Sequence, residues 1–139
     1  MIRQIRIISA ILIVLLLCSC SLPINKDIVY DFEASMLVND FEMIDDKVYI
    51  ECNICLTNRT DNKQTFSMQG DFNEDYKLKL TASRYLTAFA ADDLSKSDFV
   101  IEANKTTKFS VVFVGDFAGN AQKFDREPPN AVVITVIEK

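Results

Sequence analysis

Apolar and polar residues alternate with a period of two along most of the chain after residue 27. The clearest case is KVYIECNICLT at residues 47–57, where every second side chain is apolar. These positions are Val48, Ile50, Cys52, Ile54 and Leu56. Such alternation is typical of a β-strand that buries one face and exposes the other.

The same alternation recurs in short segments that turn residues separate. They are QTFSMQGD from residue 64, YKLKLTA from 76, TKFSVVFVGD from 107 and NAVVITVIEK from 130, with one or two more strands in 30–46. About seven short strands in roughly 110 residues predict an all-β fold, an antiparallel β-sandwich. The exception is SRYLTAFAADDLSKSDF at 83–99, which fits a short helix or a packed loop.

The N-terminus shows a different pattern. Arg3 and Arg6 precede an almost unbroken apolar run at residues 7–17, and small residues and then Pro23 follow it. This order of positive charge, apolar run and small residues is that of a secretory signal peptide. The run is shorter than the roughly 20 apolar residues that a membrane-spanning helix needs. We therefore predict an export signal rather than a transmembrane helix.

The residues that end this run, Leu17, Cys18, Ser19 and Cys20, resemble the lipobox of bacterial lipoproteins. The resemblance implies that a diacylglyceryl group is attached to the thiol of Cys20 and that the chain is cleaved just before it. A cysteine is needed there because a nucleophilic sulfur forms the thioether. Two acyl chains anchor a protein stably, which implies a location at the extracytoplasmic face of a cell membrane. The alternative is an ordinary signal peptide in which both thiols are incidental.

These features divide the chain into a signal peptide at 1–19, a tether at 20–27 and a β-sandwich domain at 28–139. The lipobox, followed by IECNICLTNRTDN from residue 50 and IEANKTTKFSVVFV from residue 101, resembles the immunoglobulin-like (telokin-like) lipoprotein domains of uncharacterised function. The resemblance implies an immunoglobulin-like sandwich that is displayed in the cell envelope.

Composition excludes several classes of function. The net charge of -5 argues against a nucleic-acid-binding surface, which is usually basic. The chain contains 0 histidines, which removes histidine-dependent nucleophilic catalysis and the commonest zinc sites. We therefore predict a protein with no enzymatic activity and no cofactor.

Three motifs suggest chemistry but favour ordinary structural interpretations. Cys52 and Cys55 form a C-x-x-C motif inside an alternating strand, which places them on opposite faces as a core residue and a semi-exposed one. DFNEDY at 71–76 opens like a calcium loop but lacks the required glycine and the distal glutamate, so it predicts a solvated acidic turn. The sequons at Asn58 and Asn104 predict ordinary turns.

The strands FSVVFV and AVVITVI are apolar on both faces, so a second apolar row lies behind the core row. Its members are Val112, Val114, Val133 and Ile137. Either the segment 86–94 packs over this row, or the row is an exposed patch that binds a partner, such as a protein of the envelope.

Together these observations predict a membrane-anchored extracytoplasmic lipoprotein with a non-catalytic binding or structural module. One alternative is a ligand-binding lipoprotein that serves an envelope complex or transporter, and another is a secreted enzyme. A flat apolar patch would favour the binding module, and a deep pocket with convergent polar groups the ligand-binding lipoprotein. Carboxylates clustered in a cleft would favour the enzyme.

Overall fold

The computed structural model of the protein describes residues 25–123 and 125–138. The predicted signal peptide and the predicted lipidation site Cys20 lie outside the described residues. The described chain contains eight strands and one short helix. They are β1 (Ile28–Leu37), β2 (Glu42–Ile44), β3 (Lys47–Asn58), β4 (Gln64–Asp71), α1 (Asn73–Lys77), β5 (Tyr85–Ala90), β6 (Phe99–Ile101), β7 (Thr106–Asp116) and β8 (Val132–Val136).

One antiparallel sheet contains all eight strands in the order β1-β3-β7-β5-β4-β6, with β2 paired to β3 and β8 paired to β4. The predicted all-β antiparallel class is therefore confirmed, and the immunoglobulin-like assignment stays a prediction. The sheet curls into a half-barrel. Tyr30 on β1 donates a hydrogen bond from its hydroxyl to the carbonyl of Pro129, at 2.8 Å, which ties the first strand to the segment before β8.

The inner face of the curled sheet forms the hydrophobic core. The five apolar positions predicted on β3 are all at most 1% exposed, which confirms that strand and its buried face. Phe66 of β4 lies 5.7 Å from Phe109 of β7 in an edge-to-face arrangement, although the two strands are not neighbours in the sheet. The curl brings these rings together, and such aromatic pairs stabilise a core beyond their buried area.

The segment 83–99 contains no helix: residues 85–90 form a strand, and residues 91–98 lie in turns and a loop. It forms β5 and the start of β6, and β5 pairs with β4 on one side and β7 on the other. Leu86, Ala88 and Ala90 point into the core, so the segment has the period of a strand. The prediction was wrong for residues 85–90, because strand pairing inside the sheet outweighs a weak local helical pattern.

The short helix α1 overlaps the first two residues of YKLKLTA, the segment that the sequence pattern predicted as a strand. Only Leu80 of its three alternating apolar residues is buried, whereas Tyr76 and Leu78 are 40% and 43% exposed. Lys79 then takes a left-handed conformation with φ 63°, which turns the chain toward β5. Three alternating residues were too few to specify a strand without a partner strand beside them.

Asn58 is a buried structural residue rather than an ordinary turn residue. Its side-chain amide donates to the carbonyls of Asn62 (2.8 Å) and Glu102 (3.2 Å), and its Oδ1 accepts from the backbone N–H of Thr60 (3.0 Å). These bonds hold the turn after β3 against the turn after β6. Asn104 lies at an exposed turn with φ 55°, as the turn prediction requires.

Candidate functional site

The structure brings only part of the predicted apolar row together. Val112 and Val114 lie two residues apart on the outer face of β7, and both are half-buried. Val133 is on the same face of the sheet, but Thr87 of β5 and Gln69 of β4 lie between it and Val114 in the register. The outer face therefore carries an apolar pair on β7 and a separate apolar position on β8.

The fourth member, Ile137, follows the end of β8 and donates its backbone N–H to the carbonyl of Thr65, at 2.8 Å. The segment 86–94, which one of the two alternatives placed over the row, borders it instead. Leu86 points into the core, whereas Leu94 is 50% exposed beside Val112. This part of the surface stays open to solvent.

A shallow groove of about 230 Å³ opens around Val112 on the outer face. Five parts of the chain line it: the β1–β2 loop, β2, β3, β7 and the turn after β5. We call it the Val112 groove; its main residues are Glu42, Ile44, Tyr49, Glu51, Leu94 and Val112.

Strand register fixes the geometry of the Val112 groove. Tyr49 of β3 pairs with Glu42 of β2 on one side, and two residues further along β3 Glu51 pairs with Val112 of β7. The Glu51 carboxylate accepts a hydrogen bond from the side-chain amide of Asn39, at 3.3 Å. The groove therefore has an aromatic ring and aliphatic side chains in its lining, with carboxylates among them.

The turn after β5 is held in place by backbone bonds. The N–H of Ala91 donates to the carbonyl of Ser110 on β7, at 3.1 Å. The Asp93 carboxylate accepts hydrogen bonds from the Ser95 hydroxyl (2.6 Å) and N–H (3.0 Å), which lower the pKa of Asp93. Leu94, between these positions, is thus presented at the groove by an ordered turn.

A second depression, of about 290 Å³, lies between α1 and the segment 125–130 and is rich in carboxylates. Asp71 is buried there and pairs with Arg84 through two bonds of 2.8 Å, from Nε to Oδ1 and from Nη2 to Oδ2. These bonds raise the pKa of Arg84. A bidentate arginine–carboxylate pair of this kind fixes geometry as well as charge.

Arg126 organises the other side of this depression. Its side chain is 3% exposed, its guanidinium lies between Asp75 of α1 and Asp40 of the β1–β2 loop, and its Nε is 3.0 Å from the Asp40 carboxylate. The guanidinium also lies 4.7 Å from the centre of the Phe41 ring. Burial lowers the pKa of Arg126. Asp40 and Asp75 therefore serve to neutralise a buried cation and to join three segments.

These pairs correct the prediction of a solvated acidic turn at 71–76, since Asp71 and Asp75 are each 7% exposed. The local sequence shows the three acids of DFNEDY but not the distant arginines that pair with Asp71 and Asp75. In residues 25–123 and 125–138, no group of three or more potential ligand side chains is arranged to hold a metal ion.

The two cysteines of the C-x-x-C motif lie on opposite faces of β3, and both are buried. Cys52 is in the core, and burial raises the pKa of its thiol to about 12. Cys55 is 3% exposed rather than semi-exposed, because β1 bulges beside it and the Ser35 hydroxyl oxygen accepts the Cys55 N–H at 2.8 Å. Both thiols are free. The buried thiol of Cys52, with its raised pKa, is a poor nucleophile.

Comparison with protein-family models, with curated proteins and with solved structures gives no match. The part of the chain that the structure describes contains no apolar helix of the length that crossing a bilayer requires.

The Val112 groove is the better candidate site of the two depressions. In the acidic depression, the buried carboxylates Asp71 and Asp75 are already paired with arginines of the same chain. In the groove, Ile44 and Leu94 expose about half of their surface to water. Apolar side chains left exposed together are typical of interaction surfaces.

Proposed function

We propose that the protein is a membrane-anchored extracytoplasmic lipoprotein whose β domain is a non-catalytic binding module. The observation that carries this proposal is the position of Cys20, at the end of a signal-like sequence and eight residues before β1 begins at Ile28. Residues 21–24 connect Cys20 to Asn25, a link that spans at most about 18 Å at about 3.5 Å per residue. An acylated Cys20 would hold the domain close to the bilayer.

We propose further that the domain is immunoglobulin-like. The support is an antiparallel all-β architecture with β3 and β7 paired along their lengths at the centre of the sheet. A scaffold of this kind presents binding surfaces on its outer faces and loops while its core stays fixed.

The binding surface in this proposal is the Val112 groove. Its apolar residues come from three separate elements, and it lies on the outer face, so binding there requires no opening of the core. A non-catalytic role is supported by the lack of histidine in the sequence and by the use of Asp71 and Asp75 in internal ion pairs.

The size of the groove favours a protein partner over a small molecule. Pockets for small molecules usually have volumes of about 300–1,000 Å³, whereas the Val112 groove has about 230 Å³. A shallow groove of this volume accepts side chains from a partner's surface. A ligand-binding lipoprotein, by contrast, would need a deeper cavity.

The intact mass of the membrane-extracted protein tests the anchor. We expect the wild-type mass to fit a chain that begins at Cys20 and carries acyl groups. Cys18→Ala is the matched control, because Cys18 leaves with the signal peptide and the mature mass should not change. Cys20→Ala should show no acylation and no cleavage at that position. An unacylated wild-type chain would instead make the protein a released binding module.

A further inference from the structure

We infer that the Val112 groove docks a basic amphipathic segment of a partner protein, with a lysine or arginine side chain laid along the groove. This inference deepens the proposed binding function and rests on it. It follows from the apolar lining of the groove, its one-sided charge and the position of its tyrosine.

The apolar part of the groove suits the aliphatic stem of a long side chain. Ile44 and Leu94 are 51% and 50% exposed, and Val112 is half-buried between the elements that carry them. Lysine and arginine bury their methylene stems along apolar surface and keep the charged group at the rim. The same residues would contact a leucine or valine of the partner next to the basic residue.

The charge of the groove is of one sign. Three of its nine lining residues are acidic, namely Asp40, Glu42 and Glu51, and none is basic. Asp40 also contacts Arg126, so Glu42 and Glu51 are the principal carboxylates that face a partner. In the described part of the chain neither of these two forms an ion pair with a lysine or arginine. The acidic depression differs, because its buried carboxylates are already neutralised by arginines.

Tyr49 lies between these carboxylates in the strand register. On β3, Tyr49 pairs with Glu42 of the neighbouring strand β2. It precedes Glu51 by two positions, so both side chains lie on the same face. An aromatic ring attracts a lysine or arginine cation over its face, and adjacent carboxylates add to that attraction. An aromatic ring, two carboxylates and aliphatic side chains therefore favour a basic residue next to an apolar one.

The same charge argues against other occupants. A second copy of this chain carries net charge -5 and the same acidic groove, so two copies would repel at this surface. Anionic lipid headgroups would be repelled for the same reason.

Peptide binding to the mature protein in detergent micelles tests the inference. The probe is a short peptide of alternating leucine and lysine, and the control peptide has glutamate in place of each lysine. We expect the lysine peptide to bind, the glutamate peptide not to bind, and added salt to weaken binding. Fluorescence anisotropy of a labelled peptide gives the dissociation constant.

Charge-reversal variants locate the binding site. Glu42→Lys and Glu51→Lys should each weaken binding of the lysine peptide by about three- to tenfold, the effect of reversing a surface ion pair. Leu94→Ser should weaken it by removing apolar contact. Glu102→Lys is the matched control, because it makes the same charge change at an exposed position outside the groove and should leave binding unchanged.

Several results would overturn the inference. One is equal binding of both peptides, and another is no peptide binding by the wild type. The others are a loss of peptide affinity in Glu102→Lys as large as in the groove variants, and self-association of the protein that Leu94→Ser abolishes. The mass of the same preparation separates this inference from the proposed anchor. An acylated protein that binds no peptide refutes the docking inference alone, whereas an unacylated protein that binds the lysine peptide refutes the anchor alone.

Discussion

Serine substitutions at two adjacent residues of β7 should have very different effects on stability. Val111 points into the core and is 0% exposed, whereas Val112 points to the outer face and borders the groove. Complete burial of a valine side chain stabilises a protein by about 1.5–3 kcal/mol, and a buried hydroxyl without a partner costs about 1–3 kcal/mol. Val111→Ser should therefore lower the free energy of unfolding by about 3 kcal/mol or more. Val112→Ser should lose less than about 1 kcal/mol, because its site is already hydrated.

Thermal melts of the two variants measure this difference. For a domain of this size, about 1 kcal/mol changes the Tm by about 4 °C. We therefore expect a fall of about 12 °C or more for Val111→Ser and of less than about 4 °C for Val112→Ser. Equal falls would refute the reasoning, because they would mean that the outer face of β7 is a second core closed to solvent. The Val112 groove could then not be a docking surface.

Three further predictions concern the fold. Asp46 has φ 60° in the turn between β2 and β3, so Asp46→Gly should raise the free energy of unfolding by about 1 kcal/mol, measured by urea denaturation. A lower free energy of unfolding in Asp46→Gly would show that the turn needs the aspartate side chain. Gly70→Ala should lower the free energy of unfolding by about 1–3 kcal/mol, since the new Cβ would lie 2.6 and 2.9 Å from carbons of two phenylalanine rings; unchanged urea denaturation would mean that both rings move aside freely. Burial raises the pKa of Cys52 from 9.0 to about 12, so the folded chain keeps a proton that the unfolded chain releases, and stability should fall as the pH rises through this range. Denaturation of Cys52→Ala across the same range should show a shallower fall, and an identical fall would contradict the assignment.

The local pattern of apolar and polar residues was sufficient to predict a strand and its buried face where the alternation repeats many times, as in β3. The five buried positions of β3 follow from the sequence because each apolar residue there returns to the same face, and burial of that face fixes the register. It was not sufficient in short segments. In YKLKLTA only Thr81 forms a bridge, to Phe117, and α1 takes the first two residues of the segment instead. At 85–90, pairing with β4 and β7 decided the conformation.

Part of the candidate site could likewise be predicted from the sequence, and part could not. Val112 could be found from the sequence, because β7 is apolar at consecutive positions and one of its faces must lie outside the core. Nothing local showed that β2 and the turn after β5 would bring Ile44 and Leu94 to its side. The separation of Val133 from Val112 also depends on the order of the strands, in which β5 and β4 lie between β7 and β8.

The sequence by itself determined the all-β class, the buried face of β3, the opposite orientations of Cys52 and Cys55, and an N-terminus that resembles a lipoprotein signal. The first three depend on the period of two, and the last on an apolar run followed by a short motif of neighbouring residues. Only the tertiary structure decided the burial of Asp75, its ion pair with Arg126 and the lining of the Val112 groove. These features join residues that are far apart in the chain, and their positions follow from how the sheet curls and which strands it makes neighbours.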